Sequence, residues 1–96
     1  MSIRFEWDEA KNRANRKRHG VSFEEARTVF LDENARLIAD PDHSADEDRF
    51  LLLGLSLRLR LLVVSHCYRQ SDEVVRIISA RRADPTERRD YARWLK

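Results

Sequence analysis

Three histidines, His19, His43 and His66, are the side chains of this 96-residue chain that titrate near neutrality without help. Nineteen Lys and Arg accompany them, most of them Arg, whose planar forks match phosphate oxygens. Imidazoles and guanidinium groups together suit cleavage of a phosphodiester that carries its own nucleophile. A base takes the proton of a ribose 2′-OH, cations stabilise charge at phosphorus, and an acid protonates the 5′-oxygen. The sequence has no HExxH, no Cys/His ligand spacing and no Gly-rich phosphate loop. Its single Cys67 offers neither an intrachain disulfide nor a metal cluster. No cofactor or metal is therefore expected, although carboxylate pairs such as Asp40 and Asp42 leave a metal-dependent nuclease open.

His66 stands first among the candidates, near the end of an otherwise apolar strand, where a polar ring needs a partner or a purpose. It reads either as a general acid or base at the mouth of a sheet or as a structural ring bonded to a carbonyl. Arg60 falls an even number of residues away on the same predicted strand, so alternation puts both side chains on one face. Arg81 and Arg82 close the last strand and point to opposite faces. One of them can meet a phosphate while the other pairs with Asp84 or Glu87. His19 ends the first helix, a place where the helix dipole and carbonyl capping also favour an imidazole. His43 reads as a turn residue in an acidic loop. Lys11, Arg13, Lys17 and Arg18, with Arg16 among them, spread positive charge around a helix rather than along one stripe. That surface would attract RNA in a salt-dependent way, or dock an acidic protein partner. Trp7 and Trp94 could stack on bases, but tryptophans at element ends more often anchor a core.

The elements that must position these groups follow from the hydrophobic periods. Ile3, Phe5 and Trp7 alternate with Arg4 and Glu6 as a short strand. Asp8 caps a helix from Glu9 to His19, Gly20 closes it, and Ala10 and Ala14 supply a thin apolar stripe. Ser22 and Glu25 form a capping box for a second helix, with Val21 stapled to Ala26 and a core face of Phe23, Ala26 and Phe30 ending near Asp32. These two helices make a hairpin across Gly20. Ala35 to Ala39, Arg49 to Ser56, Leu59 to Tyr68 and Glu73 to Ala80 then read as three or four strands of an antiparallel meander, the Leu59 strand central and covered on both faces. Asp84, Pro85 and Glu87 start a last helix with Tyr91, Trp94 and Leu95 on its apolar face.

The fold class is therefore α+β, with an N-terminal helical hairpin, a three- to four-stranded antiparallel sheet and a C-terminal helix. At this length one domain, residues 1–96, is expected. With 42% hydrophobic and 38% charged residues, two Gly and two Pro, the chain is neither collagen-like nor disordered. No apolar run is long enough to span a membrane and no secretory signal opens the chain, so a cytoplasmic protein is expected. The net charge is only +2, but it is polarised: basic from Lys11 to His19, acidic from Asp40 to Asp48, basic again from Arg81.

Phe5-Glu6-Trp7-Asp8, Arg18-His19-Gly20-Val21-Ser22-Phe23-Glu24-Glu25-Ala26, Asp40-Pro41-Asp42-His43-Ser44, Leu62-Val63-Val64-Ser65-His66 and Ile77-Ile78-Ser79-Ala80-Arg81-Arg82-Ala83, in that order, resemble the BrnT toxins of bacterial type II toxin–antitoxin systems. The resemblance runs from Phe5 to about Tyr91. Arg18 stands where the family usually has Lys, and Leu59 stands in the Ser56-Leu57-Arg58-Leu59-Arg60 turn where Gly is frequent. The resemblance implies a RelE-like ribonuclease that arrests translation, is neutralised by a BrnA-like antitoxin, and reaches operator DNA only through the antitoxin complex. On this reading RNA is the substrate, His66, Arg60, Arg81, Arg82 and His19 form the site, and Lys11, Arg13, Lys17 and Arg18 hold the strand. A second reading is a non-catalytic module that binds nucleic acid or antitoxin in repression. A third uses the sheet edge for homodimerisation.

Overall fold

The Asp8 carboxylate accepts hydrogen bonds from the Ala10 and Lys11 amides at 2.8 and 3.2 Å, which opens helix α1, Glu9–His19. Gly20 closes it in the left-handed region at φ 71°, donating its N–H to the Arg16 carbonyl. These local signals stand as the sequence has them in the computed structural model, which describes residues 3–40 and 48–95. His43 and most of the acidic stretch lie outside the described residues. Among those described, no helix is long and apolar enough to cross a membrane.

The buried face of α1 is not the expected alanine stripe. Ala10 and Ala14 are exposed, and Asn12 and Asn15 are buried. A side-chain amide has the donor and acceptor of a peptide group, so it can complete backbone pairing that the main chain leaves open. The Asn15 Nδ2 donates to the Ala80 and Val21 carbonyls, both at 2.8 Å, and its Oδ1 accepts from the Ala80 amide at 3.1 Å. The Asn12 Oδ1 accepts from the Phe23 amide at 2.8 Å, at the start of helix α2, Phe23–Thr28. Both helices pack against the last strand of the sheet, and less against each other, so the N-terminal hairpin is splayed over the sheet.

Among the described residues five strands, not three or four, make the sheet: β1 Arg4–Glu6, β2 Arg36–Ile38, β3 Phe50–Leu55, β4 Leu61–Arg69 and β5 Val74–Arg82, in the order β1-β5-β4-β3-β2. The meander β2–β5 is antiparallel as expected. The lead-in strand β1 joins β5 in parallel, which makes the sheet mixed. Its alternation marks it as a strand, but its partner is contributed by the other end of the chain, beyond the reach of any local pattern. Ala80 lies past the end of β1, where Asn15 takes over the open edge of β5.

β4 is central and sealed on both sides. Leu62 and Val64 pack with Val21, Phe23, Ala26 and Val29 under α2. Val63 packs on the opposite face with Leu51, Leu53 and Tyr91 of helix α3, Pro85–Trp94. Asp84 and Glu87 cap α3 reciprocally, and Tyr91 and Trp94 supply its apolar side, but Leu95 is exposed. Gly54 lets the 3-10 turn Val29–Leu31 and the residues after it pack close, since a Cβ there would stand 2.8 Å from the Val29 Cγ1 and 2.6 Å from the Ala35 Cβ.

Two smaller departures matter for the site. A bulge in β5 pairs Ser65 with Ser79 but His66 with Ile77, so Ile77 joins Ala80 under the helices while Ser79 and Arg81 share the other face. The capping box of α2 is half formed. The Ser22 Oγ accepts from the Glu25 amide at 3.0 Å, but the Glu25 carboxylate turns away to another partner.

Candidate nucleic-acid interface

That partner is Arg60. The Glu25 side chain is only 3% exposed, yet both its oxygens are engaged: the Arg60 Nε donates to Oε2 at 2.9 Å, the Arg60 Nη2 donates to Oε1, and the Ser56 hydroxyl donates to Oε2 at 2.7 Å. The bond to Arg60 holds the Glu25 carboxyl below the usual carboxylate range against the opposing effect of burial, with Ser56 helping. Glu25 raises the Arg60 guanidinium in return. The Arg60 Nη2 also donates to the Gly20 carbonyl at 3.0 Å, which ties the β3–β4 turn to the end of α1.

Arg60 therefore stands in that turn, just before β4 begins at Leu61, and not on the strand beside His66. Six residues of extended chain span roughly 20 Å, so the two side chains occupy opposite ends of β4. The convergence expected from their shared face does not occur. Sequence alternation overlooked that Leu59 sits at φ 63°, donating its N–H to the Ser56 carbonyl, which makes residues 56–60 a tight turn.

His66 is fully enclosed rather than at a mouth of the sheet. Phe30, Phe50 and Tyr68 surround its ring at centroid distances of 4.9, 6.0 and 5.3 Å. Its Nδ1 lies 3.1 Å from the Val64 carbonyl. A carbonyl only accepts, so Nδ1 carries the proton and Nε2 faces the Tyr68 hydroxyl at 3.4 Å. Burial pushes the imidazole below its ordinary value, despite the Val64 bond that favours the charged form. It is a neutral core ring.

Arg81 is held by α3. Its Nη1 and Nη2 donate to the two Glu87 oxygens at 2.8 and 2.9 Å, a fork that raises the guanidinium further. Arg82 points the other way and is exposed, as are Lys11, Arg13, Lys17, Arg18 and His19 along α1. Apart from the exposed Arg82 and the basic residues along α1, the sequence-predicted site residues thus fall into three places: His66 in the core, Arg81 under α3, and Arg60 with His19 at the end of α1.

The third place contains a cleft of about 450 Å3 between α1 and the β3–β4 turn, lined by Arg16, Gly20, Ser22, Glu24 and Arg58. Arg58 is 72% exposed and 3.8 Å from Glu25, too open for that contact to neutralise it. The Glu24 carboxylate accepts from the Asn12 amide at 2.9 Å, a bond that lowers its titration. His19 stands three residues from Arg16, next to it on the helix surface, and directly before Gly20. Arg60 and His19, named from the sequence, adjoin Gly20 of the cleft but do not line it; of the two arginines that do, Arg16 was read only as part of a basic helix and Arg58 was missed. The tight turn that turns Arg60 inward and leaves Arg58 out was the missing signal. A second cleft, about 410 Å3, lies at the far end of β4 and is lined by Asp48, Phe50, Tyr68 and Asp72. Among the described residues no group of three or more His, Cys, Asp or Glu could hold a metal ion.

A family model described as "Ribonuclease toxin, BrnT, of type II toxin-antitoxin system" matches residues 7–87, which include every residue lining the cationic cleft. The chain belongs to the BrnT family. It is accordingly a ribonuclease toxin of a type II toxin–antitoxin system. Among solved structures, the 1.1 Å crystal structure of the Brucella abortus ribonuclease toxin BrnT aligns with a TM-score of 0.67 at 22% identity, covering 86% of this chain and 99% of that one. At that identity the likeness shows the BrnT fold alone. No curated protein matches the sequence.

Proposed function

We propose that this BrnT-family chain cleaves RNA in the cleft between α1 and the β3–β4 turn by metal-independent acid–base chemistry. The observation that carries the reading is the fixed Arg60–Glu25–Gly20 junction beneath a cleft whose walls present Arg16 and Arg58. A phosphodiester placed there meets two guanidinium groups from different elements, positive charge where negative charge develops on the phosphorane. His19 in its neutral form takes the proton of the 2′-OH, whose oxygen attacks phosphorus. The P–O5′ bond breaks to leave a 2′,3′-cyclic phosphate, and solvent at this open site protonates the departing 5′-oxygen.

Arg60 acts in this scheme as a positioning residue, its charge already answered by Glu25. Lys11, Arg13, Lys17 and Arg18 draw the flanking strand along α1. Of the Arg81–Arg82 pair, the exposed Arg82 is the one assigned a phosphate contact, since Glu87 occupies Arg81. Cleavage of cytoplasmic RNA would arrest translation until a BrnA-like antitoxin covers the toxin, and operator DNA would be reached through that complex. Family membership supports an antitoxin partner of this kind.

The test is incubation of the purified chain with RNA in excess EDTA, followed by end-group analysis. The expected products carry 2′,3′-cyclic phosphate and 5′-hydroxyl ends. Cleavage that stops in EDTA, or that leaves 5′-phosphate ends, would overturn the chemistry. No cleavage with or without ribosomes would favour the non-catalytic binding module.

A further inference from the structure

The β3–β4 turn has a second side. Arg58 lines the cationic cleft, while its neighbours Leu57 and Leu59 line a separate groove of about 210 Å3 with Leu31, Leu55, Thr28, Ser56 and Asp32, whose carboxylate is taken up by the Leu55 amide and the Tyr91 hydroxyl. Leu31, Leu57 and Leu59 are 70%, 70% and 78% exposed, the three most exposed large apolar side chains among the described residues. Scattered single leucines need no explanation, but three on one groove do. The turn is also rigid. The Leu57 amide donates to the Thr28 hydroxyl at 2.9 Å, the Arg58 amide to the Ser56 hydroxyl at 3.2 Å, and Leu59 is held at φ 63°, a conformation that glycine adopts without strain. A branched side chain at that position works against the backbone and presents an apolar group to water.

We propose that this leucine groove, with Arg58 across the turn, is the docking site for an acidic amphipathic segment of the antitoxin. Resting on the toxin reading above, the inference adds where neutralisation occurs. Such a segment sets apolar side chains between Leu31, Leu57 and Leu59 and carries Asp or Glu over the turn onto Arg58 and Arg16. Charge decides the occupant. The groove is continuous through one turn with the cationic walls of the neighbouring cleft, so its partner must be apolar on one side and anionic on the other. A segment of that kind closes the phosphate site with the same carboxylates that bind it.

The experiment measures calorimetric binding of the purified antitoxin encoded beside this toxin to the wild type, to the uncharged Leu57→Asn/Leu59→Asn and to Leu57→Ser/Leu59→Gly. The second variant suits the left-handed backbone and keeps the turn folded. RNA cleavage is assayed on the same samples. Both variants are expected to lose at least 30-fold in affinity and to cut RNA as the wild type does, so that antitoxin no longer protects the substrate. Affinities within threefold of wild type, or a concentration-dependent mass of the chain alone that the variants abolish, would overturn the proposal. Loss of binding in variants of a toxin that never cuts RNA would keep the docking site and sink the catalytic reading. Intact cutting with unchanged binding would do the reverse.

Discussion

The two ends of β4 bury polar groups in opposite ways. At Leu61 the chain enters the strand from Arg60, which meets a carboxylate that is 3% exposed and still charged. Further along the strand His66 is buried among three aromatic rings and its pKa falls, because burial outweighs its one bond to the Val64 carbonyl. Burial by itself favours the neutral form at both ends. The outcome differs because Glu25 has Arg60 and Ser56 to bond its ionised form, whereas His66 has one carbonyl. A fixed charge survives where two elements supply a partner. That is also where the cleft with Arg16 and Arg58 on its walls opens, the place where we propose that RNA is cut.

The largest effect that should break this contrast is Glu25→Ala. It strips Arg60 of its counter-charge and the turn of its anchor, and about 3 kcal/mol of stability should be lost in urea unfolding, the size expected when one partner of a buried pair is removed. A change below 1 kcal/mol would show that the junction does not organise the turn. His19→Ala should leave the fold intact and lower RNA cleavage about 100-fold, the contribution typical of one acid–base group. Arg58→Ala should weaken RNA binding several-fold and reduce the slope of log affinity against log salt by about 0.7, one phosphate contact to a single strand. A salt slope equal to wild type would remove Arg58 from the interface.

The smallest effect separates the two ends by pH. The His66 pKa is depressed on folding from 6.5, so the unfolded chain binds its proton first as pH falls. Stability from this group is complete above about pH 6.5 and declines below it, with a slope of up to about 1.4 kcal/mol per pH unit. Glu25, depressed from 4.5, keeps its contribution until pH falls below that value and then loses it. His66→Gln should erase the slope just below pH 6.5 and leave the acid limb. A His66→Gln variant with the wild-type slope there would assign it to another histidine.

What could be read from the sequence was what neighbours decide. Asp8, Ser22, Asp84 and Gly20 mark helix ends because a cap bonds amides or carbonyls within four residues of itself. The strand runs were legible for the same reason. The parallel partner of β1 was not, because Val74–Arg76 lies some seventy residues away. Asn12 and Asn15 carry no apolar signal, and only the open edge of β5 and the start of α2 give them buried partners. The bulge at Ile77–Ser79 reversed one face of the last strand. The site suffered most from a shift of two residues. Reading β4 from Leu59 instead of Leu61 placed Arg60 with His66, whereas the left-handed Leu59 turns Arg60 onto Glu25 and leaves Arg58 to the cleft. The Leu59 position was noticed as unusual, but its consequence needed the backbone angle.

The central claim is that the charged end of β4, not its neutral end, carries the chemistry. The most direct measurement compares RNA cleavage in EDTA by wild type, His19→Ala and His66→Gln, each shown folded by circular dichroism at the assay temperature. The account predicts a loss of about 100-fold for His19→Ala, with His66→Gln within threefold of wild type. A folded His66→Gln that no longer cuts, beside a fully active His19→Ala, would contradict it and move the site to the aromatic end of the strand.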